Sequence, residues 1–235
     1  VRLPDTGRHI LRVITDGITE SEKKFTEERG FAFRGVDPCG GVLEGVKPDA
    51  KTVMFFGDSI TEGVRAISMD ADSDGNSATH SYPWYCCLKL GMIPVNVGFA
   101  ASGVVGAGSF APCLDAIDRL SAARTTDGIP APDIVVVAHG HNDVWFKDTD
   151  VRPRYRAVLE RLHEKYPDAV IISLIPFSQT HAQTISECAS EYDFVHLIST
   201  EGWNPDTTDG IHLNAAGAKS AGERLADEIS KIIGG

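Results

Sequence analysis

IVVVA at residues 134–138 and AVIISLI at residues 169–175 are the stretches that decide the fold. Both have strand length and are apolar on nearly every successive position. A strand with one face in water alternates, whereas one covered on both faces by helices reads as a continuous apolar run. Shorter β-rich runs of the same kind stand at residues 52–56, 93–97 and 194–198. Helical patterns lie between the five. Tyr155, Val158, Leu159, Leu162 and Tyr166 form one apolar stripe opening near Pro153. Ala218, Ala221, Leu225, Ile229 and Ile232 form another, with Asn214 placed to cap it. Strand alternating with helix predicts a three-layer α/β/α domain around a five-stranded parallel sheet with right-handed crossovers.

The first fifty residues read differently. Residues 9–14, 31–36 and 41–46 have the composition of short strands separated by a charged stretch. A small β-rich N-terminal segment at 1–50 is therefore expected ahead of a main domain at 51–235, with the boundary near 47–51.

In open α/β sheets ligands bind beyond the carboxyl ends of the strands, so the residues that follow each run carry the functional reading. Gly57-Asp58-Ser59-Ile60-Thr61 follows the first, Gly98 closes the second, and Gly140-His141-Asn142-Asp143 follows the third. The loop after the fifth carries Asp209-Gly210-Ile211-His212. Four of five strand ends thus deliver the parts of an acyl-transfer site. Ser59 at a helix N-terminus is the candidate nucleophile, since N–H groups and the helix dipole favour developing negative charge there. A serine needs a base to take its proton, and His212 is that base. Asp209, three residues earlier, can accept the imidazole N–H and fix its tautomer. The Ser59 and Gly98 N–H groups and the Asn142 amide are the candidate oxyanion donors.

These blocks, GDSIT, the glycine of NVG, GHND and DxxH, resemble in kind and order the four blocks of the SGNH (GDSL-like) hydrolase superfamily. The resemblance runs from Gly57 to His212. It implies a flavodoxin-like sheet in the order 2-1-3-4-5 and ester hydrolysis with no metal or cofactor. The α/β-hydrolase elbow GxSxG is absent, because its fifth position is Thr61. The N-terminal lead-in is similar to the end of the β-sandwich that precedes the SGNH domain in two-domain carbohydrate O-acetylesterases, although fifty residues are too few for the whole sandwich. That likeness implies an O-acetyl ester on a carbohydrate as substrate. A lipid, aryl or thioester-directed esterase, an O-acyltransferase and a carbohydrate-binding pseudoenzyme are the alternatives.

Other features bound the reading. Lys and Arg number 22 against 33 Asp and Glu, a net charge of -11, which repels phosphate backbones and anionic membranes and leaves a small-molecule or carbohydrate ester as partner. No apolar run approaches the ~20 residues that span a bilayer. The chain opens at Val1 without a signal-peptide pattern, as a processed N-terminus also would, so cytoplasm and secretion both stay open. Five cysteines form no zinc spacing and read as buried small hydrophobes. His141 at the strand mouth is expected to touch substrate and His139 to be structural. Trp145 and Trp203 can stack on a sugar face, with core packing as the alternative. Asp58 and Asp143 read as loop-stabilising acceptors. The stretch from Asp70 to Asn76 opens like a calcium loop, but position twelve is Ser81 where a bidentate glutamate is needed.

Overall fold

Thr52–Gly57 (β1), Ile93–Gly98 (β2), Ile134–Ala138 (β3), Val170–Leu174 (β4) and Val195–Ile198 (β5) pair side by side in the order β2-β1-β3-β4-β5. Every pairing is parallel, with Gly57 opposite both Gly98 and Ala138. This is a computed structural model describing residues 5, 7–17, 19–20, 34–46, 49–70, 72–108, 110–122 and 131–234. The helices are Ser59–Glu62 (α1), Tyr82–Leu90 (α2), Cys113–Ala122 (α3), Asp148–Lys165 (α4), Ala182–Ser190 (α5) and Ala215–Ile233 (α6).

The period of two in a strand explains why the central runs are apolar throughout. Val135 and Val137 enter one core with Ile117 of α3, Tyr155, Val158, Leu159 and Leu162 of α4, and Ile185 of α5. Ile134, Val136 and Ala138 enter a second core with Cys86 and Cys87 of α2 and Ala218, Ala221, Leu225 and Ile229 of α6. Each fully buried Val or Leu side chain contributes roughly 1.5–3 kcal/mol, so a polar residue at any position of β3 would injure one layer or the other. Both expected helical stripes lie on buried faces. α4 begins at Asp148, ahead of the expected start near Pro153, and Pro153 lies inside the helix as its sixth residue. The Asn214 side chain caps α6 by accepting from the Gly217 N–H at 2.9 Å.

The expectation of strands ahead of β1 is corrected. Residues 9–14 and 41–46 run without ladder partners, and residues 34–36 do the same; residues 31–33 lie outside the described residues. Ile10, Leu11, Val13, Ile14, Val42, Leu43 and Val46 are exposed. A β-rich composition becomes a strand only when a neighbouring edge takes its N–H and C=O groups, and no such edge reaches this segment among the described residues. Four of the five cysteines are buried as expected, whereas Cys39 is exposed. Among the described residues no helix is long and apolar enough to cross a membrane.

Candidate active site

All the functional blocks of the sequence meet at the carboxyl edge of the sheet, around the end of β1. The Asp58 carboxylate caps α1 by accepting from the Ile60 N–H at 3.0 Å, and Gly63, at φ 92°, ends the helix after one turn. Ser59 is the first residue of that turn, where the N–H has no intrahelical acceptor. Its Oγ stands 2.9 Å from His212 Nε2, and His212 Nδ1 stands 2.7 Å from Asp209 Oδ2. Ser59 and His212 are both buried. With the imidazole proton on Nδ1 donated to Asp209, Nε2 is free to accept the Ser59 proton. The arrangement supports proton transfer from serine to histidine as the serine attacks an acyl carbon.

The spacing of Asp209 and His212 closes on itself locally. The Ile211 and His212 N–H groups both donate to Asp209 Oδ1, at 3.0 and 2.8 Å, while Thr207 and Leu213 form an isolated antiparallel bridge. A tight turn thus holds carboxylate and imidazole together before any long-range contact is counted. Burial opposes ionisation of Asp209, but the hydrogen bonds from the His212 ring and N–H, the Ile211 N–H and Arg65 outweigh it and hold the carboxyl well below the usual range.

The candidate oxyanion donors come from three strand ends. Asn142 sits on the single 3₁₀ turn His141–Asp143 after β3, and its Nδ2 donates to Asp58 Oδ2 at 3.2 Å and to the Ser102 carbonyl at 3.1 Å. Both bonds are long, as expected of a donor that exchanges a partner when an oxyanion forms. Gly98, the other backbone donor expected, also has a packing place. Its N–H donates to Asn96 Oδ1 at 3.0 Å, and a Cβ there would lie 2.5 Å from the Glu62 nitrogen. Its placement is that of a packing glycine that lets α1 lie against β2, and its N–H would serve an oxyanion only after leaving Asn96.

Asp143 and Asp58 act as the acceptors the sequence suggested. Asp143 is fully buried and takes the N–H groups of Val104, Val105 and Gly106 at 2.8, 2.9 and 3.1 Å, fastening the loop after β2 to the turn after β3. Burial pushes the Asp58 carboxyl up to about 7, against the pull of the N–H groups it accepts. His139 is buried with Nδ1 3.3 Å from the Ser102 carbonyl, and burial pushes it down to about 4, a neutral structural histidine. His141 is half-buried, and burial together with the nearby His212 disfavours its charged form. Trp145 is 90% exposed on the loop that follows the Asn142 turn. Trp203 is half-buried, its ring 6.2 Å from that of Phe177 and under the Arg224 guanidinium at 5.0 Å.

Sequence reasoning missed Arg65, whose Nη1 lies 2.8 Å from Asp209 Oδ2. The two residues are 144 positions apart, and no local pattern links them; the left-handed backbone at Arg65, φ 54°, is a structural mark only. The acidic stretch at 70–76 is organised by turn bonds, with the Asp72 carbonyl accepting from the Gly75 and Asn76 N–H groups at 3.2 and 3.0 Å.

Comparison with known proteins bears on the family and the fold. The model of the GDSL-like lipase/acylhydrolase family matches residues 55–219. No curated protein sequence is significantly similar to the chain. Among solved structures, a family two carbohydrate esterase from Clostridium thermocellum in complex with cellohexaose superposes with a TM-score of 0.68 at 19% identity, covering 82% of this chain and 67% of that one. An acetyl xylan esterase from the rumen bacterium Butyrivibrio proteoclasticus gives 0.67 at 16% identity, covering 83% and 67%. A carbohydrate acetylesterase from Sinorhizobium meliloti gives 0.56 at 17% identity, covering 77% of this chain and 99% of that one. At these identities the likeness is one of fold.

Proposed function

Because the chain belongs to the GDSL-like lipase/acylhydrolase family, we propose that this SGNH-type esterase removes O-acyl groups, O-acetyl foremost, from carbohydrate through a Ser59-His212-Asp209 triad. The observation that carries the reading is the unbroken hydrogen-bonded line from Ser59 Oγ through His212 to Asp209, at 2.9 and 2.7 Å. In the proposed cycle Ser59 Oγ attacks the ester carbonyl carbon as its proton passes to His212 Nε2. Negative charge collects on the carbonyl oxygen, which the Ser59 N–H and the Asn142 amide stabilise. The imidazolium returns its proton to the departing sugar oxygen, leaving an acyl-serine and a free hydroxyl. Water then attacks the acyl-serine with His212 again as base, releasing the carboxylic acid and restoring Ser59.

Support for carbohydrate comes from the names of the structural neighbours, from the exposed indole of Trp145 close in sequence to Asn142, and from the net charge of -11, which disfavours polyanionic substrates. His141 and Trp145 are assigned to substrate contact, and residues 51–235 to the catalytic domain. The test is acetyl release from acetylated xylan and glucomannan alongside aryl esters of increasing chain length, for the wild type and Ser59→Ala. Preference for acetylated polysaccharide, lost in the variant, is the expected outcome. Preference for long acyl chains would move the substrate to lipid, and a fully active Ser59→Ala would refute the mechanism.

A further inference from the structure

Asp209 Oδ1 accepts the N–H groups of Ile211 and His212, and Oδ2 accepts His212 Nδ1 at 2.7 Å and Arg65 Nη1 at 2.8 Å. A carboxylate offers about four lone-pair positions, so all are filled, and among the described residues Arg65 supplies the one donor that comes from outside the turn itself. From this geometry, and on the premise that Ser59, His212 and Asp209 are the triad, we infer that Arg65 is a positioning residue that locks the triad carboxylate and, through it, the orientation of the His212 ring.

Arg65 is held as firmly as the group it holds. Its N–H donates to Asn76 Oδ1 at 2.8 Å, its carbonyl accepts from Thr208 Oγ1 at 2.7 Å, and its Nε donates to the Met69 carbonyl at 3.1 Å. The backbone there is in the left-handed region, φ 54°, a conformation unfavourable for a non-glycine residue that persists only where the surroundings impose it. The N-terminal segment supplies the backing. Asp16 accepts from the Ser77 hydroxyl and the Thr79 N–H at 2.9 and 2.8 Å, and Gly17 lies so close to the loop that a Cβ would be 2.1 Å from the Asn76 carbonyl oxygen. Glu20 Oε2 stands 3.9 Å from Arg65 Nη2. The segment before the sheet therefore braces the loop from which Arg65 reaches the triad.

Without the guanidinium, Asp209 is held by its own turn and the His212 ring alone, so Oδ2 and the imidazole it orients lose their outer anchor. The loss falls on the orientation of the base, and so on the chemical step rather than on substrate binding.

The test is kcat and KM for acetyl-ester hydrolysis by the wild type, Arg65→Gln and Arg65→Lys, with thermal unfolding of each. Arg65→Gln should lower kcat by about tenfold through a looser carboxylate, with KM within about twofold of the wild type. Arg65→Lys, which keeps a donor and the charge but loses the planar fork, should recover part of that loss. Should Arg65→Gln fail to fold, Arg65→Lys still decides the matter, since its kcat should lie about threefold below the wild type with KM unchanged. A wild-type kcat in folded Arg65→Gln or in Arg65→Lys, a loss carried by KM alone, or an Arg65→Lys kcat no higher than that of folded Arg65→Gln would each overturn the inference. Ser59→Ala run in parallel separates the two readings, since full activity there removes the triad itself.

Discussion

Replacing Gly98 by alanine separates its two candidate roles. Alanine keeps the backbone N–H, so a glycine needed only as an oxyanion donor would tolerate the change. The structure predicts that it will not. The new Cβ would lie 2.5 Å from the Glu62 nitrogen and 2.8 Å from its Cα, whereas unstrained contact needs about 3.5 Å, so α1 must move by about 1 Å. That shift cannot be absorbed by a rotamer, because the opposing atoms are backbone. α1 is four residues long and Ser59 is its first, so the nucleophile moves with it relative to His212. Overpacking of this kind costs about 1–3 kcal/mol, which for a domain of this size lowers Tm by roughly 2–12 °C. Displacing a nucleophile by such an amount lowers kcat/KM by about ten- to a hundredfold. The assay is hydrolysis of an acetyl ester together with thermal unfolding. Gly98→Ala with wild-type rate and wild-type Tm would show that the close approach of α1 to β2 is wrong and would return Gly98 to a purely hydrogen-bonding part.

Asn142→Ala should lower kcat by about 10²–10³ with little change in KM if its amide meets the oxyanion; a rate within a few-fold of wild type would leave the residue only its bonds to Asp58 and Ser102. Asp58 gives a stability prediction. Its carboxyl, ordinarily near 3.8, is raised to about 7 by burial, so between those values the folded chain keeps a proton that the unfolded chain releases. The associated stability is fully present below the unfolded value and is lost as pH rises through about 7. Asp58→Asn cannot titrate, so its Tm should fall less than the wild type's between pH 5 and pH 8, and parallel profiles would contradict the buried carboxyl.

How much of this was legible beforehand follows from the range of the interactions. β3 was readable to the residue because each of its five side chains enters one of two cores, and no position is neutral. The α6 cap was readable because a side chain three residues from its partner makes the bond. Asp209 and His212 were readable for the same reason, their turn being closed by hydrogen bonds spanning two and three residues. The N-terminal strands failed because composition states a preference for extended backbone and says nothing about whether an edge is there to pair with.

The sequence alone therefore determined the layers, the five strands, and the residues proposed as nucleophile, base and acid, all carried by local periodicity and by residue types at strand ends. Only the tertiary structure decided that Gly98 is placed to pack and Trp203 to stack on its own core, and that Arg65 stands on the triad carboxylate. Those depend on which surfaces approach one another across 26 to 144 residues of chain, and the distance of closest approach between two packed backbones is set by the whole assembly of layers, with no counterpart in the order of residues along either one.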